Sequence, residues 1–397
     1  SSSPRTGRYR ATPPSTPPSA PTLNAEAPET PAQPPIVVTT PKFTATFTDV
    51  NGALTSWQLT DPRFERDATR GELMSATCKN GKASSTSDGS GCTENGRAKH
   101  PSTGAFIVSF PDAFPLDPRV RWVGKAIEKD RIVQYTYSDP RFDIEKTYTI
   151  YPDAYLVKMG VKVTPKIPKE QAKRAQLSVT FYAIQDPKAD DEGSSQVSAR
   201  IWQSSTMRDG SIYHTPIKQL IKSPRHEVNV QWTGFEHPYL LAGYAPNRQG
   251  SEVIEKKTYA GSSLGMPGTD DLMRTDMVFP SYPFEAGKPF TVEVVGFLGP
   301  KNYKELERAD EAAGFTLGFT DTIDFGWFGI IGKPLLWLML KFYALVGNWG
   351  IAIIMLTFLV KLLTLYWTTK SMRSMKSMAA LAPQMKLLQA KYKGDNQ

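Results

Sequence analysis

The sequence predicts a large antiparallel β-sandwich followed by a helical, membrane-associated segment. Three observations carry this. Between Phe43 and Pro300, runs rich in Val, Thr, Tyr and Phe alternate apolar with polar residues, and no helical pattern interleaves them. Residues 349–367, WGIAIIMLTFLVKLLTLYW, form an apolar run about 28 Å long as a helix, close to the hydrocarbon thickness of a bilayer. The net charge is +8, and after that run six Lys or Arg face a single acid, Asp395. A basic excess placed there speaks for membrane topology rather than for a nucleic-acid-binding face.

The elements follow in order. Residues 1–42 hold eleven of the 32 prolines and almost no large apolar side chains, which predicts an extended, disordered tether. The chain starts SSSPRTGRYR without Met or an apolar signal and stops at KYKGDNQ inside a basic helical pattern. Both ends therefore read as cut edges of a longer protein. Residues 43–300 form the β-domain, with turn signals at Asn51-Gly52, Ser138-Asp139-Pro140 and Pro152-Asp153. Residues 301–326 begin KNYKELERADEAA and are expected as a linker helix and loop. Pro334 suits the first turn of the next helix. Over 327–346 an interfacial amphipathic helix is expected, with Trp327, Trp337, Tyr343 and Trp349 at headgroup level, because residues 335–346 are too short to span. A buried helix of the β-domain is the alternative there. Residues 347–368 form the transmembrane helix, and the basic residues after it place 369–397 in the cytoplasm and the β-domain outside. Within 369–397, Met372, Met375 and Met378 form a stripe with Leu381, and Pro383 interrupts or restarts the helix. The stripe reads as an adaptable contact for varied apolar partners or as packing for a second helix.

Thirteen residues separate Cys78 and Cys92, a closable loop in which a disulfide contributes about 3 kcal/mol in an oxidising compartment. Two unrelated thiols are the other reading. The spacing is no zinc pattern, so neither a metal site nor a cofactor is expected. Walker, dinucleotide, HExxH and GxSxG signatures are missing, and His100, His214, His226 and His237 are scattered, each read as structural or solvated. No catalytic residue is assigned, and the protein is not expected to be an enzyme. The one site-like feature is Lys361 inside the apolar run, where a charge costs about 2.5–3.5 kcal/mol. Two readings stand. Lys361 lies about 10 Å of helix rise before Thr368 and can snorkel, or it lines an internal polar cavity. Thr357, four residues earlier on the same face, favours the second slightly.

Beyond these readings, the C-terminal run resembles the YidC family of membrane protein insertases. The matches are aromatic-Gly-Trp at 325–327, Lys-Pro-Leu at 333–335, Gly-Asn-Trp-Gly at 347–350, Thr-Phe-Leu-Val-Lys at 357–361, Thr-Lys at 369–370 and Leu-Ala-Pro-Gln-Met at 381–385. Looser matches are Asn51-Gly52, WTGFEHPYLLAGYAP at 232–246 and FLGPK at 297–301. The resemblance implies a periplasmic β-supersandwich, similar to galactose mutarotase, on an inner-membrane protein with further spans. It implies insertion, folding and assembly of nascent membrane proteins, alone or with the Sec translocon and its accessory subunits. The family's intramembrane groove carries one positive residue, usually arginine, and Lys361 holds that position with Thr357 beside it. Lys370, Arg373 and Lys376, with Met372, Met375 and Met378, would meet the ribosome or targeting factors. The competing function is a membrane-anchored periplasmic carbohydrate-binding or epimerase-like β-sandwich, with Lys361 only snorkelling.

Overall fold

The computed structural model describes residues 31–62, 71–74, 84–85, 91–92, 98–99, 104–111, 113–114, 116, 120–185, 203–216, 220, 225–236, 238–247, 250–259, 271–323 and 329–391. The chain divides after Ile323 into two units.

In the first unit the strands are β1 (Ile36–Thr39), β2 (Phe43–Phe47), β3 (Leu54–Leu59), β4 (Ser84–Ser85), β5 (Gly91–Cys92), β6 (Ala98–Lys99), β7 (Ala105–Ser109), β8 (Val123–Glu128), β9 (Ile132–Ser138), β10 (Phe142–Tyr151) and β11 (Leu156–Pro165). They continue as β12 (Lys173–Ala175), β13 (Ser178–Gln185), β14 (Gln203–Arg208), β15 (Ser211–Pro216), β16 (Arg225–Glu236), β17 (Leu240–Pro246), β18 (Gly250–Tyr259), β19 (Asp271–Val278), β20 (Tyr282–Phe284) and β21 (Phe290–Pro300). Sixteen of them make one sheet in the order β1-β2-β3-β7-β13-β19-β18-β16-β17-β21-β11-β10-β9-β8, with β14 and β15 attached through β16. The neighbours on this path are antiparallel, as in β10 on β11 and β11 on β21.

The two ends of the path meet. Gly124 N donates to Gln33 Oε1 at 2.8 Å, and Arg121 reaches the Asp49 carboxylate at 2.6 Å. The sheet thus rolls over one apolar core, the expected sandwich. Trp57, Trp122, Trp232, Tyr148 and Tyr244 are fully buried there with several Phe rings, each contributing about 1.5–3 kcal/mol of burial.

Local chemistry explains the best-defined elements. Along β10 the burial alternates as the residue pattern demands. Asn51 and Gly52 both take positive φ, +57° and +53°, which suits the turn between β2 and β3. A Cβ on Gly52 would lie 2.8 Å from Tyr135 Cβ, so glycine is required there for space as well. Asp139 shapes the β9–β10 turn by accepting from the backbone N–H groups of Arg141 and Phe142 at 2.7 and 3.0 Å.

Several expectations are corrected. Strand structure begins at Ile36, inside the stretch read as tether, because Ile36–Thr39 pairs with Phe47–Thr44. Residues 301–326 are not simply a linker. Helix α1 (Tyr303–Ala313) is capped by Asn302 and ends at Gly314 with φ +79°, and it buries Leu306 and Ala309 completely in the domain core. The 3-10 turn Phe319–Thr322 adds Phe319 to that core, edge-on to Trp232 at 5.4 Å.

Among its described residues the second unit has two helices, α2 (Gly329–Val346) and α3 (Trp349–Lys391), both long and apolar enough to cross a membrane. At 18 residues, about 27 Å, α2 lies within the expected 327–346 and is helical well before Leu335, so length does not by itself exclude a span. Pro334 sits in its second turn, not its first, because the helix begins at Gly329. Helix α3 runs unbroken through Thr368 and through Pro383, so Pro383 neither interrupts nor restarts it.

Candidate functional site

The sequence itself builds the α2–α3 junction. Gly347 ends α2 with φ +65°, and its N–H donates to Tyr343 O at 2.8 Å. Asn348 then caps α3: its Oδ1 accepts from Gly350 N at 2.8 Å and from Ile351 N at 3.3 Å. Trp349 stacks on Tyr343 with ring centroids 3.9 Å apart. Gly-Asn-Trp-Gly is therefore a helix stop, a helix start and a staple in four residues.

Packing on α2 sets which side of α3 remains open. Ala352 is fully buried, and Met355, Leu356, Leu359 and Val360 are half-buried, one stripe at helical spacing. Thr357, Lys361, Thr364 and Thr368 follow one another by four, three and four residues and share another side. At about 100° per residue the two stripes point roughly 140° apart. Lys361 is thus turned away from α2 and exposed.

On that face the threonines are less polar than their names suggest. Thr357 Oγ1 donates to Ile353 O at 2.8 Å, Thr364 Oγ1 to Val360 O at 2.9 Å, and Thr368 Oγ1 to Thr364 O at 2.9 Å. Each hydroxyl spends its proton on the helix backbone and presents only acceptor lone pairs. Among the described residues, no acceptor or acid pairs with the Lys361 ammonium. The face can therefore receive an anionic or hydrogen-bond-accepting group at one point, with acceptor oxygens along the same stripe.

Further along α3, Lys370, Arg373 and Lys376 are exposed, as are Met372, Met375 and Met378. Cys92 ends β5, whereas Cys78 lies outside the described residues, as do Trp327, His100 and His237.

The sequence reading missed one polar cluster in the β-domain. His214 Nδ1 lies 2.8 Å from Glu236 Oε1, although 21 residues intervene; His214 was expected to be structural or solvated. Strand β14 joins them: Ser205 faces His214 on β15, and Gln203 faces Glu236 on β16. The Glu236 carboxylate is 2% exposed and also accepts from Gln203 Nε2 at 2.6 Å and Lys301 Nζ at 3.4 Å. Burial would raise its pKa, but the His214 hydrogen bond and the Lys301 charge outweigh this and hold it below the usual range. With three donors on a buried carboxylate, the cluster fastens the β14–β15 hairpin.

A model of the YidC periplasmic domain matches residues 113–338, more than half of the chain, and one of the 60Kd inner membrane protein matches 341–397. A membrane protein insertase YidC of Pelobacter propionicus is 29% identical over 94% of this chain and 63% of its own length. One of Syntrophobacter fumaroxidans is 26% identical over 68% of this chain and 46% of its own. The chain therefore covers less than two thirds of either relative. Among solved structures, a galactose mutarotase-like protein from Lactobacillus casei covers 67% of this chain and matches over all of its own, with 11% identity and a TM-score of 0.42.

Proposed function

As this chain belongs to the YidC family, we propose that it serves in a membrane protein insertase and chaperone, with Lys361 as the charged contact for incoming chains. The observation that carries this is an unpartnered ammonium within an apolar helix, on the face turned away from α2. An acidic or hydrophilic substrate segment is drawn to that charge while its apolar helix passes into lipid. A polar segment met by a fixed charge loses less on leaving water, which lowers the barrier to partial translocation.

The topology follows from charge. Lys370, Arg373 and Lys376 lie just past the aromatic pair Tyr366 and Trp367, placing this end of α3 in the cytoplasm and the β-domain in the periplasm. The exposed Met372, Met375 and Met378 and their basic neighbours form the cytoplasmic contact for a ribosome or targeting factor. The Sec translocon is the partner for substrates with large translocated parts. Helix α2 lies in the outer interface with Trp337, Tyr343 and Trp349 near the headgroups.

Lysine here replaces the guanidinium fork by a point charge, which suffices to attract an acid. In an insertase-depleted strain complemented with the full-length protein, Lys361→Arg should retain insertion of a dependent substrate. Lys361→Ala should lower it several-fold and Lys361→Glu should abolish it. Normal insertion by the Glu variant would contradict the electrostatic role.

A further inference from the structure

The side of α2 that faces away from α3 carries a basic–aromatic row. Leu335, Leu336, Met339, Phe342, Tyr343 and Val346 centre the half-buried side toward α3, which Leu338 and Leu340 widen to the edges of the opposite row. Lys333, Trp337 and Lys341 recur every four residues on the opposite side, all exposed, with Trp337 at 61%. The Lys341 ammonium lies 5.6 Å from the centroid of the Trp337 ring. From Gly329 to Gly394 the sequence contains no Asp or Glu, so nothing within these helices neutralises the row.

We propose that this face of α2 is a binding site for anionic phospholipid, with Lys333 and Lys341 taking the headgroup phosphates on either side of Trp337. The inference rests on the interfacial reading of α2 and names its ligand. Geometry favours that placement. Lys333 and Lys341 are eight residues apart, about 12 Å along the axis. A helix lying in the membrane plane puts both ammoniums in one headgroup layer. A spanning helix would separate them in depth by more than the ~5–7 Å of that layer and leave one in hydrocarbon. Acid-free surroundings select a negative ligand, and a tryptophan between the lysines fits the glycerol region beneath the phosphates.

The test uses the full chain reconstituted in vesicles with brominated lipids, reading the fluorescence quenching lost in Trp337→Phe. Phosphatidylglycerol brominated near the headgroup should quench Trp337 on the order of fivefold more effectively than phosphatidylcholine brominated at the same position. Lys333→Gln with Lys341→Gln should erase this preference, and Lys333→Arg with Lys341→Arg should keep it. Shallow quenching without any preference for the anionic lipid overturns the site while leaving the interfacial helix intact. Strong quenching only by bromine deep in the acyl chain overturns both.

Discussion

Lys146 is a fully buried lysine of the β-domain. Its ammonium donates to Asn51 O at 2.5 Å and Phe106 O at 2.8 Å while lying 4.5 Å from the Trp122 ring centroid. Carbonyls and a π-face stand in for a counter-ion, and burial pushes the pKa well below the usual 10.5. A lowered lysine pKa means that the folded state binds fewer protons than the unfolded one between the two values. Stability should therefore rise with pH toward 10.5 on this residue's account. In denaturant unfolding, the stability of Lys146→Met relative to wild type should be most favourable at low pH and should decline as pH approaches 10. The tyrosines act in the opposite sense. Burial raises Tyr148, Tyr135 and Tyr244, and moves Tyr137 up to about 12. A raised folded-state pKa contributes stability below the ordinary value of 10 that is lost above it. Absorbance at 295 nm should show these phenols ionising together with unfolding above pH 10, not before it.

Single elements show where sequence patterns carry structure and where they do not. Strand β10 was legible because alternation and turn chemistry agree over ten residues. Strand β17 is buried at all seven positions, so it has no alternation to read; Gly243 within it packs against Phe319, and Gly234 opposite it on β16 lets the two backbones approach closely. KELERADEAA looked solvent-facing because only Leu306 and Ala309 of α1 are buried, yet both reach the core completely. Leu306→Ala should cost about 2–5 kcal/mol, measured by urea unfolding, whereas a true linker would lose almost nothing. At the α2–α3 junction, Gly347→Ala meets no neighbour within 4 Å and should cost only the left-handed strain, about 1–2 kcal/mol. Faster amide exchange over residues 343–352 in that variant would report the loosened junction. The spacing of Thr357 and Lys361 was readable from the helical repeat alone. Their separation from the α2-packing side was not, because it depends on which stripe α2 covers. His214 and Glu236 were likewise hidden, since strand register rather than sequence distance joins them.

Across the whole molecule, charge divides as the fold does. After Ile323, nine Lys or Arg face two Asp, so +7 of the net +8 lies in the helical unit and the first 323 residues are nearly neutral. That asymmetry fits the orientation and the headgroup contact on α2 proposed above, and it leaves Lys361 as the one charge in the apolar stretch of α3. In the proposed mechanism Lys361 acts on substrate by the sign of its charge. A charge-swap insertion assay, read by protease protection, tests it most directly: Lys361→Glu in the full-length protein is paired with a dependent substrate whose translocated acidic residues are changed to lysine. The Glu variant should fail with the acidic substrate and regain insertion with the basic one. Equal insertion of both substrates by both proteins would contradict it.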